Sequence, residues 1–143
     1  MESFTMETMD LTEAVQPATA LCIRDFEKKG RGIVALRSYE PGETIETAPV
    51  IVIPSAQWPA LEGTVLYDYG FAYGPELEDM AIVLGYGSLY NHSYEPNAKY
   101  VRHTEERLIE FIAIRSIQPG DEITVNYNGD PNDHSPLWFD CED

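Results

Sequence analysis

Three short segments hold the residue types from which a binding or catalytic site can be built. In Lys29-Gly30-Arg31-Gly32, cationic side chains alternate with glycines. Glycine lets a backbone approach a ligand closely, and the exposed N–H groups beside it can hold a carboxylate. On its own the same spacing is an ordinary hairpin turn. The second segment, Gly85-Tyr-Gly-Ser-Leu-Tyr-Asn91-His92-Ser93-Tyr94-Glu95-Pro96-Asn97, crowds polar and turn-forming residues into one irregular stretch after an apolar run. Inside a fold such a stretch buries many backbone polar groups, which the Asn and His side chains can satisfy. Segments of this kind are where ligand sites are usually built. The third, Gly120-Asp121-Glu122-Ile123-Thr124-Val125-Asn126-Tyr127, reads as a strand ending in a tyrosine, before an Asn128-Gly129 turn signal. A tyrosine at a strand end is ordinarily packing, and it gains chemical meaning only beside the other two segments. A Ser93–His92 hydrolase pair is disfavoured, because adjacent residues rarely point at each other and no nucleophile elbow is present.

The elements that must position these segments are short. Apolar runs at 20–23, 32–36, 44–47, 50–53, 65–69, 81–84, 98–101, 108–114 and 123–126 read as strands cut by Gly and Pro turns. Helix signal is thin: a turn from Ser55 to Leu61, limited by Pro59, and another at 88–90. A mainly β fold is expected. One internal echo stands out. Ala35-Leu-Arg-Ser-Tyr-Glu-Pro-Gly-Glu-Thr-Ile45 matches Ala113-Ile-Arg-Ser-Ile-Gln-Pro-Gly-Asp-Glu-Ile123, each a strand, a Pro-Gly turn and a new strand. Residues 1–19 read as a loose N-terminal arm, 20–130 as the folded domain and 131–143 as a C-terminal tail.

The 143 residues carry a formal net charge of −16. Such a surface repels phosphate backbones, so direct nucleic-acid binding is not expected, whereas basic segments are attracted. No apolar run is long enough to span a bilayer, and the N-terminus lacks the features of a signal peptide. The expected setting is intracellular, cytoplasmic or nuclear, without a membrane. Cys22 and Cys141 stand alone, which excludes a four-cysteine zinc site, and no metal is expected.

In this order, the three segments resemble the motifs of the SET-domain family of protein-lysine methyltransferases, over roughly Leu21 to Tyr127. The glycine segment continues through Ile33, Ala35 and a Pro-Gly-Glu turn; Asn91-His92-Ser93 with Pro96 and Asn97 resembles the central motif; Gly120 through Tyr127 resembles the last. The resemblance implies small curved sheets around a C-terminal pseudoknot, which strand patterns cannot show. It also implies S-adenosylmethionine as cofactor. Lys29, Gly30, Arg31 and Gly32 would hold its methionine part, Asn91 its amino group and His92, through the backbone, its adenine. Tyr127 matches the catalytic tyrosine. Tyr100 and Val125 fall where the substrate channel is expected; Tyr67, Tyr69, Tyr73 and Tyr86 are further candidates for an aromatic wall, each ordinarily packing, with Tyr69 taken beside the channel. The family's cysteine-rich segment after the last motif is absent, so Trp138, or Phe139, is expected to cover the adenine.

The expected substrate is a lysine-rich protein such as a histone, a histone-like protein or a ribosomal protein. A homodimer is one way to complete the substrate groove. The alternative is a non-catalytic SET-fold module that binds basic or methylated tails. Tyr127, Asn91 and the glycine turn together speak for the enzyme.

Overall fold

The computed structural model describes residues 20–137. Among them are nine strands: β1 (Leu21–Phe26), β2 (Gly30–Ala35), β3 (Thr44–Ile53), β4 (Phe71–Tyr73), β5 (Asp79–Val83), β6 (Asn91–His92), β7 (Ala98–His103), β8 (Leu108–Ala113) and β9 (Glu122–Val125). They form a four-stranded sheet in the order β1-β2-β9-β6 and a five-stranded sheet in the order β4-β5-β3-β8-β7. Every pairing is antiparallel except β6 with β9.

The expected strands at 44–47 and 50–53 are one. β3 pairs with β8 as far as Pro49, then with β5 from Val50 onward. A proline has no N–H to give a ladder, and Pro49 sits at the change of partner, where that loss is tolerated. The expected strand at 65–69 is instead a 3-10 turn, Val65–Tyr69. Among the described residues no strand pairs with it, and none of its residues is buried. Its Tyr67 stacks on Trp58 at 5.1 Å between ring centres, which ties it to the preceding 3-10 turn, Trp58–Leu61. A five-residue apolar run does not distinguish these outcomes by period. The turn expected at 88–90 is present as Gly87–Leu89.

The internal echo becomes a contact. Gly42 N–H donates to Ala113 O (2.8 Å) and Gly120 N–H to Ala35 O (2.8 Å), the same bond made in both directions between the two copies. Ala113 N–H to Glu43 O and Ala35 N–H to Asp121 O, both 2.9 Å, form a second matched pair. Tyr39 and Ile117, equivalent positions, pair with each other at the centre. The two Pro-Gly turns therefore lock the ends of both sheets together. Gly42 and Gly120 have φ of 92° and 94°, the left-handed geometry the second turn position requires.

Between the sheets lies one core that includes Ile33, Ile109, Phe111, Ile117, Ile123 and Val125, all without solvent exposure. Tyr73 is buried with them, its hydroxyl within reach of the carbonyls of His103 (2.9 Å) and Leu108 (3.0 Å). Phe111 touches the rings of Tyr90 and Tyr100 at 4.5 and 6.2 Å between centres, so it joins the core to the site described next. Phe111→Ala is expected to cost about 3–5 kcal/mol, by lost transfer energy and a residual cavity. Urea unfolding should show this as a lower midpoint at unchanged slope.

Candidate active site

Pairing of β6 with β9 brings the second and third motifs side by side, with Asn91 opposite Thr124 and His92 opposite Val125. Two residues make a weak strand, and side chains complete it. Asn97 acts as a substitute backbone for β9: its amide donates to Glu122 O (2.9 Å) and accepts from Thr124 N–H (2.9 Å). Tyr127 N–H donates to His92 Nδ1 at 3.0 Å. That bond requires a neutral His92 with its proton on Nε2, so the ring is a buried structural acceptor. Past β9 the chain folds back over β6. Asn126, buried, donates to Asp133 O (2.6 Å), and Tyr94 reaches Ser135 O with its hydroxyl (3.0 Å).

The glycine segment approaches from β2. Asn91 Nδ2 donates to Arg31 O (3.2 Å) and to Glu122 Oε2 (2.7 Å), while Lys29 Nζ pairs with Glu122 Oε1 (2.8 Å). A Cβ on Gly32 would stand 2.5 Å from Asn91 Nδ2 and 2.6 Å from Glu122 Oε2, so no other residue fits there without displacing both. Lys29 is therefore held by Glu122, and Arg31, exposed, forms no ion pair among the described residues. Sequence reasoning passed over Glu122 as a site residue. Its acidic neighbour Asp121 and its exposed-strand context gave no signal that it would bridge two motifs.

A cavity of about 220 Å³ lies on the other side of Tyr127. Tyr69, Phe71, Tyr90, Tyr100 and Tyr127 supply its aromatic wall, with Asp68, Arg102 and Asn128 among its polar lining. Tyr127 Oη donates to Tyr90 O (2.6 Å), and Tyr100 Oη lies 3.4 Å from Tyr127 O. Burial raises the Tyr100 hydroxyl above its ordinary range, partly offset by Arg102. Of the three channel positions read from the sequence, Tyr69 and Tyr100 line this cavity. Val125 does not: it is wholly buried in the core. Its side chain alternates to the inner face of β9, where the close packing of Ile33 and Ile123 holds it. Tyr67, Tyr73 and Tyr86 are also outside the lining. Trp138, Phe139 and Cys141 lie outside the described residues.

Behind the cavity stands a second residue the sequence did not disclose. Glu46, on β3, accepts from Tyr90 Oη (2.6 Å) through one oxygen and from Tyr86 N–H (2.9 Å) through the other. It thereby clamps both ends of the loop whose carbonyl, Tyr90 O, receives the Tyr127 hydroxyl. Burial raises the Glu46 carboxyl above its ordinary value. Burial, and then the Glu46 charge, drive the Tyr90 hydroxyl well above its own.

The SET domain family profile matches residues 30–128. Over 121 residues the chain is 31% identical to a Schizosaccharomyces pombe histone-lysine N-methyltransferase described as H3 lysine-37 specific, covering 84% of this chain and 77% of that one. It is 37% identical over 109 residues to the Drosophila melanogaster histone-lysine N-methyltransferase Set2, covering 71% of this chain and 5% of that protein. Among solved structures, a Plasmodium falciparum protein described as a histone methyltransferase superposes with a TM-score of 0.64 at 30% identity, over 81% of this chain and 95% of that one. The fold is also shared by a Chaetomium thermophilum Polycomb Repressive Complex 2 solved with S-adenosylmethionine (TM-score 0.60, 23% identity, 76% of this chain and 15% of that one). Fold and relatives together define a protein-lysine N-methyltransferase. The chain belongs to the SET-domain family.

Because the folded state holds the Glu46 proton to higher pH than the unfolded chain does, its contribution to stability is complete below the ordinary value of 4.5 and is lost as pH rises through the folded value. Glu46→Gln removes that dependence. From about pH 4.5 upward, wild type should lose stability relative to the variant, as read by urea midpoints. A separation that stays constant across that window would refute the raised carboxyl.

Proposed function

We propose that the protein transfers a methyl group from S-adenosylmethionine to a lysine of a basic protein, such as a histone or histone-like protein. One observation carries the reading: Tyr127 joins two half-sites. Its hydroxyl stands in the wall of a tyrosine-rich cavity, on the Tyr90 carbonyl, while its backbone N–H is fixed to His92, next to Asn91 and the glycine segment.

When bound, the cofactor supplies an electrophilic methyl group on a cationic sulfur. The cradle of Gly30, Arg31 and Gly32 fits its methionine end. The Asn91 amide N–H₂ is already used by Arg31 O and Glu122, which turns the side-chain oxygen to the role of accepting from an ammonium. Arg31 offers a guanidinium for the carboxylate. Lys29, paired with Glu122, acts by holding that wall rather than by meeting the carboxylate. His92 contributes backbone contacts to the adenine, and Trp138 covers it.

Lysine enters from the cavity side, its aliphatic stem against Tyr69, Phe71 and Tyr100. An ammonium has no lone pair, so the amine must first lose its proton; the ordinary lysine value is about 10.4. Burial among tyrosines favours the neutral form. The Tyr127 hydroxyl and Tyr90 carbonyl then orient the amine, and most of the acceleration comes from that alignment. With Val125 behind the wall, the space left for added methyl groups is bounded by Tyr100 and Tyr90.

A basic substrate agrees with the net charge of −16 and with the printed activities of the relatives. It also agrees with an intracellular site of action, cytoplasmic or nuclear. No helix among the described residues is long and apolar enough to cross a membrane. The same charge disfavours direct nucleic-acid binding, and a homodimer that completes the groove is compatible with the reading.

Labelled S-adenosylmethionine offered with a panel of basic proteins should place label on lysine, and Tyr127→Phe should lower it on the order of 100-fold. Absence of cofactor binding by calorimetry would overturn the reading. Gly32→Ala should weaken cofactor binding by at least about tenfold, because Asn91 and Glu122 must move aside, and should lower the unfolding midpoint by an amount that corresponds to about 1–3 kcal/mol. Transfer to basic proteins should slow as salt is raised from low ionic strength.

A further inference from the structure

Arg102 is the one basic residue among the described residues that line the cavity. β7 carries it, two positions from Tyr100. Its Nε donates to Ala72 O on β4 at 2.6 Å, and its guanidinium carbon lies 5.3 Å from the centre of the Tyr100 ring. It forms no ion pair among the described residues. The cavity therefore has a fixed positive charge in a largely aromatic wall, with Asp68 the one acidic side chain among the described residues that line it.

That is unexpected for a site that takes lysine. Aromatic faces attract cations, which offsets part of the preference that burial gives the neutral amine, and the ammonium cannot react. The other groups facing Arg102 do not cancel its charge. Asp68, from the Val65–Tyr69 turn, is exposed, so solvent screens it. Glu106, in the β7–β8 turn, is likewise exposed. Tyr69, Tyr90, Tyr100 and Tyr127 are phenols, and Asn128 is neutral. Arg102 is half-buried, where a charge is screened less than at the surface.

We propose that Arg102 makes the cavity select the neutral form of its substrate amine: the guanidinium turns away the ammonium and admits the side chain once its proton has gone to solvent. This rests on the reading that the cavity receives a lysine side chain. A like charge lining the same cavity shifts the balance toward the neutral amine by about tenfold. The same charge opposes retention of a quaternary methylammonium, so it acts on the products as well.

Two probes test this without a protein substrate or a cofactor: n-butylamine, which is the lysine side chain without its backbone, and n-butyltrimethylammonium, which is always charged. Each is titrated into wild type, Arg102→Gln and Arg102→Lys between pH 7 and 10, with binding read from protein NMR shifts. Wild type should bind butylamine more tightly as pH rises and the quaternary ion weakly throughout. Arg102→Gln should bind the quaternary ion about tenfold more tightly than wild type does, and its butylamine affinity should depend less on pH. Arg102→Lys, which keeps the charge, should follow wild type. Equal charge preference in wild type and Arg102→Gln overturns the proposal while leaving the lysine channel intact. Failure of both probes to bind removes the channel reading, and the proposal with it. Should Arg102→Gln not fold, wild type alone decides, since tighter binding of the quaternary ion than of butylamine at pH 10 is incompatible with selection of the neutral form.

Discussion

The parallel pairing of β6 with β9 is the constraint on which the rest of the site depends. β6 has two residues, too few to hold a register through backbone bonds alone. Asn97 extends the ladder with its side-chain amide, and His92 receives the Tyr127 N–H on a ring nitrogen. Both devices put side chains where a sheet would ordinarily use backbone. They leave the backbone around Asn91 irregular yet fixed, which is what a site needs when it must present a side-chain oxygen and a carbonyl at defined places. Remove the pairing and Asn91, Tyr90 and Tyr127 have no common frame.

Around that frame the two half-sites have different electrostatic characters. On the β2 side, Lys29, Glu122 and Asn91 form a closed polar chain in which each charge has a partner, while the Arg31 side chain is exposed. On the cavity side stand four phenols, of which Tyr90 and Tyr100 hold their protons firmly through burial, with Arg102 set among them. Glu46, half-buried on β3, keeps the loop between these sides in place, and its partial burial is sustained by two hydrogen bonds. The paired Pro-Gly turns brace the opposite end, joining the two sheets by matched backbone bonds.

Much of the architecture was legible along the chain because strands announce themselves locally. Short apolar runs between Gly and Pro turns marked β1, β2, β5, β7, β8 and β9 to within a few residues. The pattern failed where a neighbour decided the outcome. Residues 65–69 have the composition of a strand, but among the described residues no strand pairs with them. Phe71–Tyr73 and Asn91–His92 have too little pattern to be read, yet they pair because β5 and β9 are there to receive them. Pro49 looked like a break, and it became the point at which one strand changes partners.

The sequence by itself determined the identity of the motifs, their order and the sign of the surface charge, because glycines, an Asn-His pair and a terminal tyrosine are recognisable one residue at a time. Only the tertiary structure decided which side chains those motifs would meet. Glu122 bridges Lys29 and Asn91, Glu46 clamps Tyr86 and Tyr90, and Arg102 enters the cavity wall, although each reads in sequence as an ordinary strand charge. Val125, a channel candidate through the family resemblance, faces the core, since alternation along β9 set its direction. Contacts between residues so far apart in the chain depend on the close approach of separate strands, and no local pattern records that approach.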